Sequence, residues 1–356
     1  MTNKKALIAM SGGVDSAVAA LLIKNMGYQT EAVTMQLFDG EKVLSDGIPE
    51  YLDDNSIQAK RTAKLLNIPH FSVSLGESFL RCVIAPFIED YKSGKTPNPC
   101  VQCNKHIKFG KLLDITEEKH FDYLVTGHYA KIEKDNNGNF FLKKATDEKK
   151  DQTYFLWTLN QDTLSKVLFP LGDYTKEEIK AIARDNNFAS ADRSESQDIC
   201  FIPDGNYTDF LRRNGHTDFN IGNFVDIYGN ILGKHTGLEN YTIGQRKGLG
   251  IALGKPMFVA KKDPSTNSVT LCTDLELYKK ELQASSINLL INDTLEHPTR
   301  LSAKIRYRHT PTAATVIRTD TDRISITFDD PQRAITPGQS VVLYDGDIVV
   351  GGGIIE

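Results

Sequence analysis

The opening of the sequence holds no apolar run near the roughly 18 residues that a membrane-spanning helix needs. The longest there, Ala17 to Ile23, is far shorter, and Met1 to Lys5 lead into a strand-like segment without an export signal. A cytoplasmic protein with no membrane partner is therefore expected. Bulk basicity is missing as well: with 25% charged residues and a net charge of -4, the composition excludes a histone-like binder, and any nucleic-acid site has to be a local patch. Cysteine is scarce, and the five present, Cys82, Cys100, Cys103, Cys200 and Cys272, are an odd count that argues against a disulfide framework. The sequence contains no fixed-period repeat and no low-complexity tract. What remains is a globular chain of 356 residues, long enough for two or three domains at about 100 to 200 residues each.

The most specific local signal is Ser11-Gly12-Gly13-Val14-Asp15-Ser16, between the apolar run Lys5 to Met10 and the apolar stretch Ala17 to Ile23. It reads as a strand, a glycine turn and a helix start. Adjacent glycines let consecutive N–H groups face one point, and the hydroxyls and the positive helix end favour a polyphosphate there. The spacing is not that of Gly-x-x-x-x-Gly-Lys-Ser/Thr, and the carboxylate of Asp15 suits such a loop only if Mg2+ accompanies the nucleotide. The motif resembles the PP-loop of the ATP pyrophosphatases, which implies cleavage of ATP between its alpha and beta phosphates, with AMP left on an acceptor oxygen.

Further along, Gln29 to Phe38 and His70 to Leu75 read as strands, Ser56 to Leu66 has helical spacing, and Tyr123 to Ile132 reads as another strand. Alternating strands and helices predict an α/β, parallel-sheet nucleotide-binding domain with its ligand at the carboxyl ends of the strands. Phe79 to Tyr91 predicts a helix bent at Pro86, Thr96 to Pro99 an extended proline-stiffened connection, and Thr175 to Glu178 a capping box. From Thr217 onward short β-like runs dominate, among them Phe224 to Tyr228, Asn240 to Ile243, Met257 to Lys261 and Ser268 to Cys272. Ala303 to Arg308, Ala313 to Thr319, Arg323 to Phe328 and Ser340 to Val350 predict a small closed barrel. The expected domains are 1–210, 211–281 (small and β-rich) and 282–356 (a β-barrel).

Cys100-Val101-Gln102-Cys103 lies beside the proline loop, and Ser196-Gln197-Asp198-Ile199-Cys200 lies in polar sequence beyond the last helix of the same domain. These three thiols are candidates for chemistry, whereas Cys82 and Cys272 read as small apolar fillers. With Thr96-Pro97-Asn98-Pro99, Cys103-Asn104-Lys105, Ile107-Lys108-Phe109-Gly110, Thr126-Gly127-His128-Tyr129-Ala130, Lys150 to Leu156, Ser196 to Ile202 and Tyr241 to Gly248, nearly the whole chain resembles the tRNA-specific 2-thiouridylases.

That resemblance implies ATP-dependent replacement of the C2 oxygen of the wobble uridine 34 by sulfur in tRNAs for lysine, glutamate and glutamine. It implies that Cys103 is the nucleophile, that Cys200 carries a persulfide, and that Ala9, Met10, Ser11, Gly12, Gly13, Val14, Asp15, Ser16, Met35 and Gly127 contact the nucleotide. It further implies that Asn98, Pro99 and Cys100 face the target base. His128, Lys150, Asp151, Gln152, Arg306, Tyr307 and Gln339 match positions that touch tRNA, and the sulfur donor is a relay protein, a cysteine desulfurase or sulfide.

The chain departs from the family at one point: Cys100 stands where Asp-x-x-Cys is common. Three cysteines, Cys100, Cys103 and Cys200, then suit a 4Fe-4S cluster holding hydrosulfide; the alternatives are a cluster-free persulfide route closing a Cys103–Cys200 disulfide, and a structural zinc with His106. Lys105 and Lys108 are expected to lower the thiol pKa of Cys103. Two carboxylate-free basic stretches, 93–113 and 299–319, are candidate phosphate contacts, the second with Tyr307 and His309 on an alternating strand.

Overall fold

The computed structural model describes residues 4–37, 50–191, 199–215, 219–291 and 295–356, with side chains from 56 onward in the helix that begins at 50. Ser196 to Asp198 of the Cys200 motif therefore lie outside the described residues. The chain divides into two compact units, one made of Met1–Val83, Cys100–Gln197 and Gly346–Val349, the other of Ile84–Pro99, Asp198–Asp345 and Val350–Glu356.

The first unit is built on a parallel sheet of five strands in the order His70–Ser74, Gln29–Gln36, Lys5–Ala9, Tyr123–Val125, Val167–Leu168. The alanine-rich helix Val14–Asn25 packs closely because Ala17, Ala19 and Ala20 are wholly or almost wholly buried beside Ala6, Ile8 and Ala32. Strand order reverses at Lys5–Ala9, whose two neighbours are reached by connections running in opposite directions. In such sheets the cleft beyond the carboxyl ends of the two central strands is where a ligand sits. Here those ends lead into Ser11 and Thr126.

The helical run Gly76–Lys92 crosses from the first unit into the second, with a π-helical turn at Leu80–Ile84 and Pro86 in the first turn of Ala85–Lys92. A second π-helical segment, Cys103–Lys111, follows Pro99–Gln102 and leads into Leu112–Glu118. Thr175 and Glu178 form the expected capping box at the start of Lys176–Asp185.

The second unit holds a four-stranded sheet, Phe258–Asp263, Ser268–Cys272, Gly222–Val225, Ile231–His235, around a core of Phe224, Val259, Val269 and Leu271. Its last six strands, Tyr278–Leu289, Arg323–Arg333, Thr312–Asp320, Thr299–Lys304, Ser340–Asp345 and Ile348–Ile355, close into a barrel when Ala284 pairs with Ile355 and Leu289 with Gly351. Two expected strands are corrected. Asn240 to Ile243 begins at the end of a 3-10 turn, Leu238–Asn240, and is not a strand; the run from Ala303 ends at Lys304, beyond which His309 N–H closes a turn onto Arg306 O at 3.0 Å. Among the described residues no helix is long and apolar enough to cross a membrane.

Candidate functional site

The loop after the first strand is tied by a hydroxyl. Ser16 Oγ donates to Gly13 O at 3.0 Å and accepts from Ser11 N–H at 3.2 Å, closing the turn over the helix start. Gly13, the N-cap, offers no side-chain partner to the first helical N–H groups, and those orphan donors suit an anion. Asp15 is not left facing the loop as bare charge. Lys176 Nζ, on a side chain only 4% exposed, reaches both its oxygens at 2.7 and 2.9 Å, and Tyr129 Oη donates to Oδ1 at 2.7 Å. Both carboxylate oxygens are thus engaged by protein donors, while the Asp15 side chain stays 33% exposed. Lys176 and Tyr129 were not among the expected site residues; Tyr129 lies inside the Thr126 to Ala130 motif, whereas only the chain's path reveals Lys176, since nothing near it in sequence points to Asp15.

Gly127 touches this loop directly. A Cβ at that position would lie 2.9 Å from the carbonyl carbon of Asp15 and 3.0 Å from the Ser16 nitrogen, so only glycine lets the two strand ends approach so closely. The next residue, His128, is 7% exposed and packed against Phe109 and Phe169. Burial first, and the charge of Lys108 second, hold its pKa well below the usual imidazole range. The ring is therefore neutral, accepting at Nε2 from Lys108 Nζ at 3.5 Å and donating from Nδ1 to Thr126 Oγ1 at 2.7 Å.

Lys108 also acts on the thiols. Cys100 and Cys103 stand one helical turn apart, Cys103 only 9% exposed and Cys100 retaining exposed surface. Burial raises both thiol pKa values, that of Cys103 to about 11, with Lys108 opposing the rise in each case. The expected low pKa is therefore corrected: desolvation of the thiolate outweighs the one cation that acts on it, and Lys105 is not among the causes. The Cys103 turn is anchored by Asn104, which donates from Nδ2 to Phe155 O at 3.0 Å.

The other expected residues are placed as follows. Ala9 ends the first strand, and half-buried Met35 lies near the end of the neighbouring one. Asp151 is buried, accepting from Ala145 N–H and Thr153 Oγ1; Gln152 exchanges hydrogen bonds with the backbone of Tyr129; Lys150 N–H bonds Asp147 O. In the second unit, Asn98 is half-buried and Pro99 buried, exposed Cys200 precedes Phe201, whose ring packs on Phe87 and Phe210, and Arg306 donates to Arg333 O. Lys304 Nζ lies over the Tyr307 ring at 5.6 Å, and Gln339 bonds the backbone of Thr96 and Pro97. Arg300 is paired in a bidentate contact with Asp329, which reduces the free charge of the 299–319 stretch.

Among the described residues no three His, Cys, Asp or Glu side chains come together as a metal requires. The expected cluster on Cys100, Cys103 and Cys200 would draw two thiols from the first unit and one from the second.

Profiles described as the tRNA methyl transferase HUP domain, the tRNA methyl transferase PRC-barrel domain and the aminomethyltransferase beta-barrel domain match residues 4–204, 208–273 and 279–355. The tRNA-specific 2-thiouridylase MnmA of Clostridioides difficile strain 630 is 49% identical, covering 99% of this chain and 98% of the relative. The chain belongs to the MnmA family. The MnmA proteins of Clostridium perfringens strain ATCC 13124 and Carboxydothermus hydrogenoformans are 45% and 46% identical, covering 100% and 99% of this chain and 99% and 98% of their own lengths. Among solved structures, the U34-tRNA thiolase NcsA from Methanococcus maripaludis with its 4Fe-4S cluster matches at a TM-score of 0.36 and 17% identity over 60% of this chain and 67% of that one. That likeness is too low to carry any residue's role into the MnmA family.

Proposed function

We propose that the protein is an ATP-dependent tRNA 2-thiouridylase that replaces the C2 oxygen of the wobble uridine 34 with sulfur in tRNAs for lysine, glutamate and glutamine. One observation carries the reading: a continuous line of contacts runs from the phosphate loop at Asp15 and Ser16, through Gly127 and His128, to Lys108, whose charge acts on both Cys100 and Cys103. A nucleotide loop coupled to one buried and one exposed thiol suits activation of a base by ATP followed by sulfur transfer, and a small-molecule amide synthetase has no use for the thiols.

In the first step the C2 oxygen attacks the α-phosphorus of ATP, the bond to the β-phosphate breaks, and pyrophosphate leaves. The loop N–H groups receive phosphate charge, and Lys176 cancels that of Asp15. The outer sulfur of a persulfide on Cys200 then attacks C2, and AMP departs with the oxygen. The Cys103 thiolate attacks the Cys200 sulfur, the S–S bond to the base breaks, C2=S remains, and a Cys103–Cys200 disulfide forms. An external thiol reduces that disulfide, and a relay protein or a cysteine desulfurase recharges Cys200 by transferring the outer sulfur of its own persulfide; sulfide as donor instead attacks the Cys200 sulfur of the Cys103–Cys200 disulfide before reduction, which leaves a Cys200 persulfide and the Cys103 thiolate. The catalytic residues are thus Cys103 and Cys200, within a 1–210 chemistry domain, while 282–356 contributes tRNA contacts through Arg306 and Tyr307.

The test is pyrophosphate release with and without tRNA, read beside 2-thiouridine by mass spectrometry. Release that requires tRNA, loss of 2-thiouridine in Cys103→Ser and Cys200→Ser, and its retention in Cys100→Ala are expected. Loss in Cys100→Ala together with iron in the anaerobically purified protein would replace the persulfide route with a cluster. Release independent of tRNA would overturn the function itself.

A further inference from the structure

The segment ahead of Cys100 is held by a turn that no sequence signal tied to it. Thr336-Pro337-Gly338-Gln339 forms a β-turn, Gln339 N–H donating to Thr336 O at 3.2 Å, with proline second and Gly338 third at φ +90°. Those are the marks of a type II turn, whose central peptide is flipped outward. The flipped carbonyl of Pro337 accepts from Thr96 N–H at 3.0 Å. The other side of Thr96 is taken by the Gln339 side chain, whose Nε2 donates to Thr96 O at 2.9 Å and to Pro97 O at 3.3 Å.

Every backbone polar group from Lys95 to Pro97 is accounted for: Lys95 N–H bonds Asp90 O, Lys95 O accepts from Lys262 Nζ at 3.5 Å, and Pro97 has no N–H to satisfy. The fit leaves no slack. A Cβ on Gly338 would lie 2.9 Å from Lys95 Cβ and 3.0 Å from Thr96 N and O. The turn is itself pinned to the C-terminal strand, Gly338 N–H to Ile355 O and Ile355 N–H to Gln339 O, each at 2.9 Å.

We propose that Gln339 is a positioning residue: its side-chain amide and the Pro337–Gly338 peptide clamp the Thr96–Pro97 backbone and so fix the approach of Asn98 and Pro99 to the target base. The proposal rests on the thiolation reading for its consequence, though not for the clamp. Gln339 Nε2 lies within hydrogen-bond distance of both carbonyls. Because Pro97 and Pro99 restrict the residues before them, a clamp on two carbonyls sets the path of the next residues.

The experiment uses the full-length protein and an unmodified tRNA carrying uridine 34. In Gln339→Met, which keeps the side-chain length and removes the donors, deuterium exchange in a peptide spanning 93–104 should accelerate about tenfold. Single-turnover thiolation should slow about 10- to 100-fold. The tRNA Kd and its salt dependence should stay within about twofold of wild type. Gln339→Glu, which sets a carboxylate against two carbonyls, should do the same more strongly. Unchanged exchange with a weakened tRNA Kd makes Gln339 an RNA contact and overturns the clamp, as does unchanged exchange with unchanged rate. If the wild type forms no 2-thiouridine, the thiolation reading fails by itself, and the exchange result still decides the clamp.

Discussion

The state of the Cys103 thiol is open to direct measurement. An ordinary thiol with a pKa near 9.0 is roughly 3% ionised at pH 7.5, whereas one raised to about 11, as burial raises Cys103, is ionised about a hundredfold less. Alkylation by iodoacetamide proceeds through the thiolate, so its rate at Cys103 should climb with pH well past 9 and reach half its limit only near pH 11. Quantifying the modified peptide by mass spectrometry separates Cys103 from Cys100, and protein unfolded in denaturant supplies the ordinary thiol as control. Lys108 lowers the pKa of both thiols, so Lys108→Met should slow alkylation further while Lys108→Arg holds it near wild type. A Cys103 profile with its midpoint at or below that of the denatured control would refute the argument that desolvation wins. A Lys108→Met profile identical to wild type would refute the role of the cation.

Two further outcomes follow from the packing. Gly127→Ala inserts a methyl 2.9 Å from the Asp15 carbonyl carbon, an overpacking that costs about 1–3 kcal/mol and pushes the loop open; ATP KM should rise about 5- to 150-fold, and an unchanged KM would detach Gly127 from the nucleotide site. Lys262 is buried over the Tyr91 ring, and burial pulls its pKa from 10.5 to about 8, so between those values the unfolded chain holds the extra proton and stability rises with pH by up to about 3 kcal/mol. Denaturant titrations from pH 7 to 10.5 should show this slope in wild type and its loss in Lys262→Met, and equal slopes would count against it.

The parts legible in the sequence are those whose physics is local. Ser11 to Ser16 between two apolar runs defined a strand, a turn and a helix, and Thr175 with Glu178 defined a helix start, because hydrogen bonds within a few residues decide both. Arg306 to His309 alternate like a strand, yet the ladder stops at Lys304 and a turn takes over; alternation reports which faces differ, not whether a partner strand is present. The thiol pKa was misjudged because sequence counts the nearby lysines and cannot weigh the protein packed around the sulfur. The contacts of Lys176 and Gln339 lay beyond reach for a simpler reason. Their partners, Asp15 and Thr96, are 161 and 243 positions away.

The ring of six strands at the chain's end has a consequence for recognition. Once Tyr278–Leu289 meets Ile348–Ile355, the barrel offers no continuous row of unpaired amides for an incoming strand to zip onto. A partner of this domain is left with side chains and corner loops, such as 305–309, and such features discriminate by charge and shape.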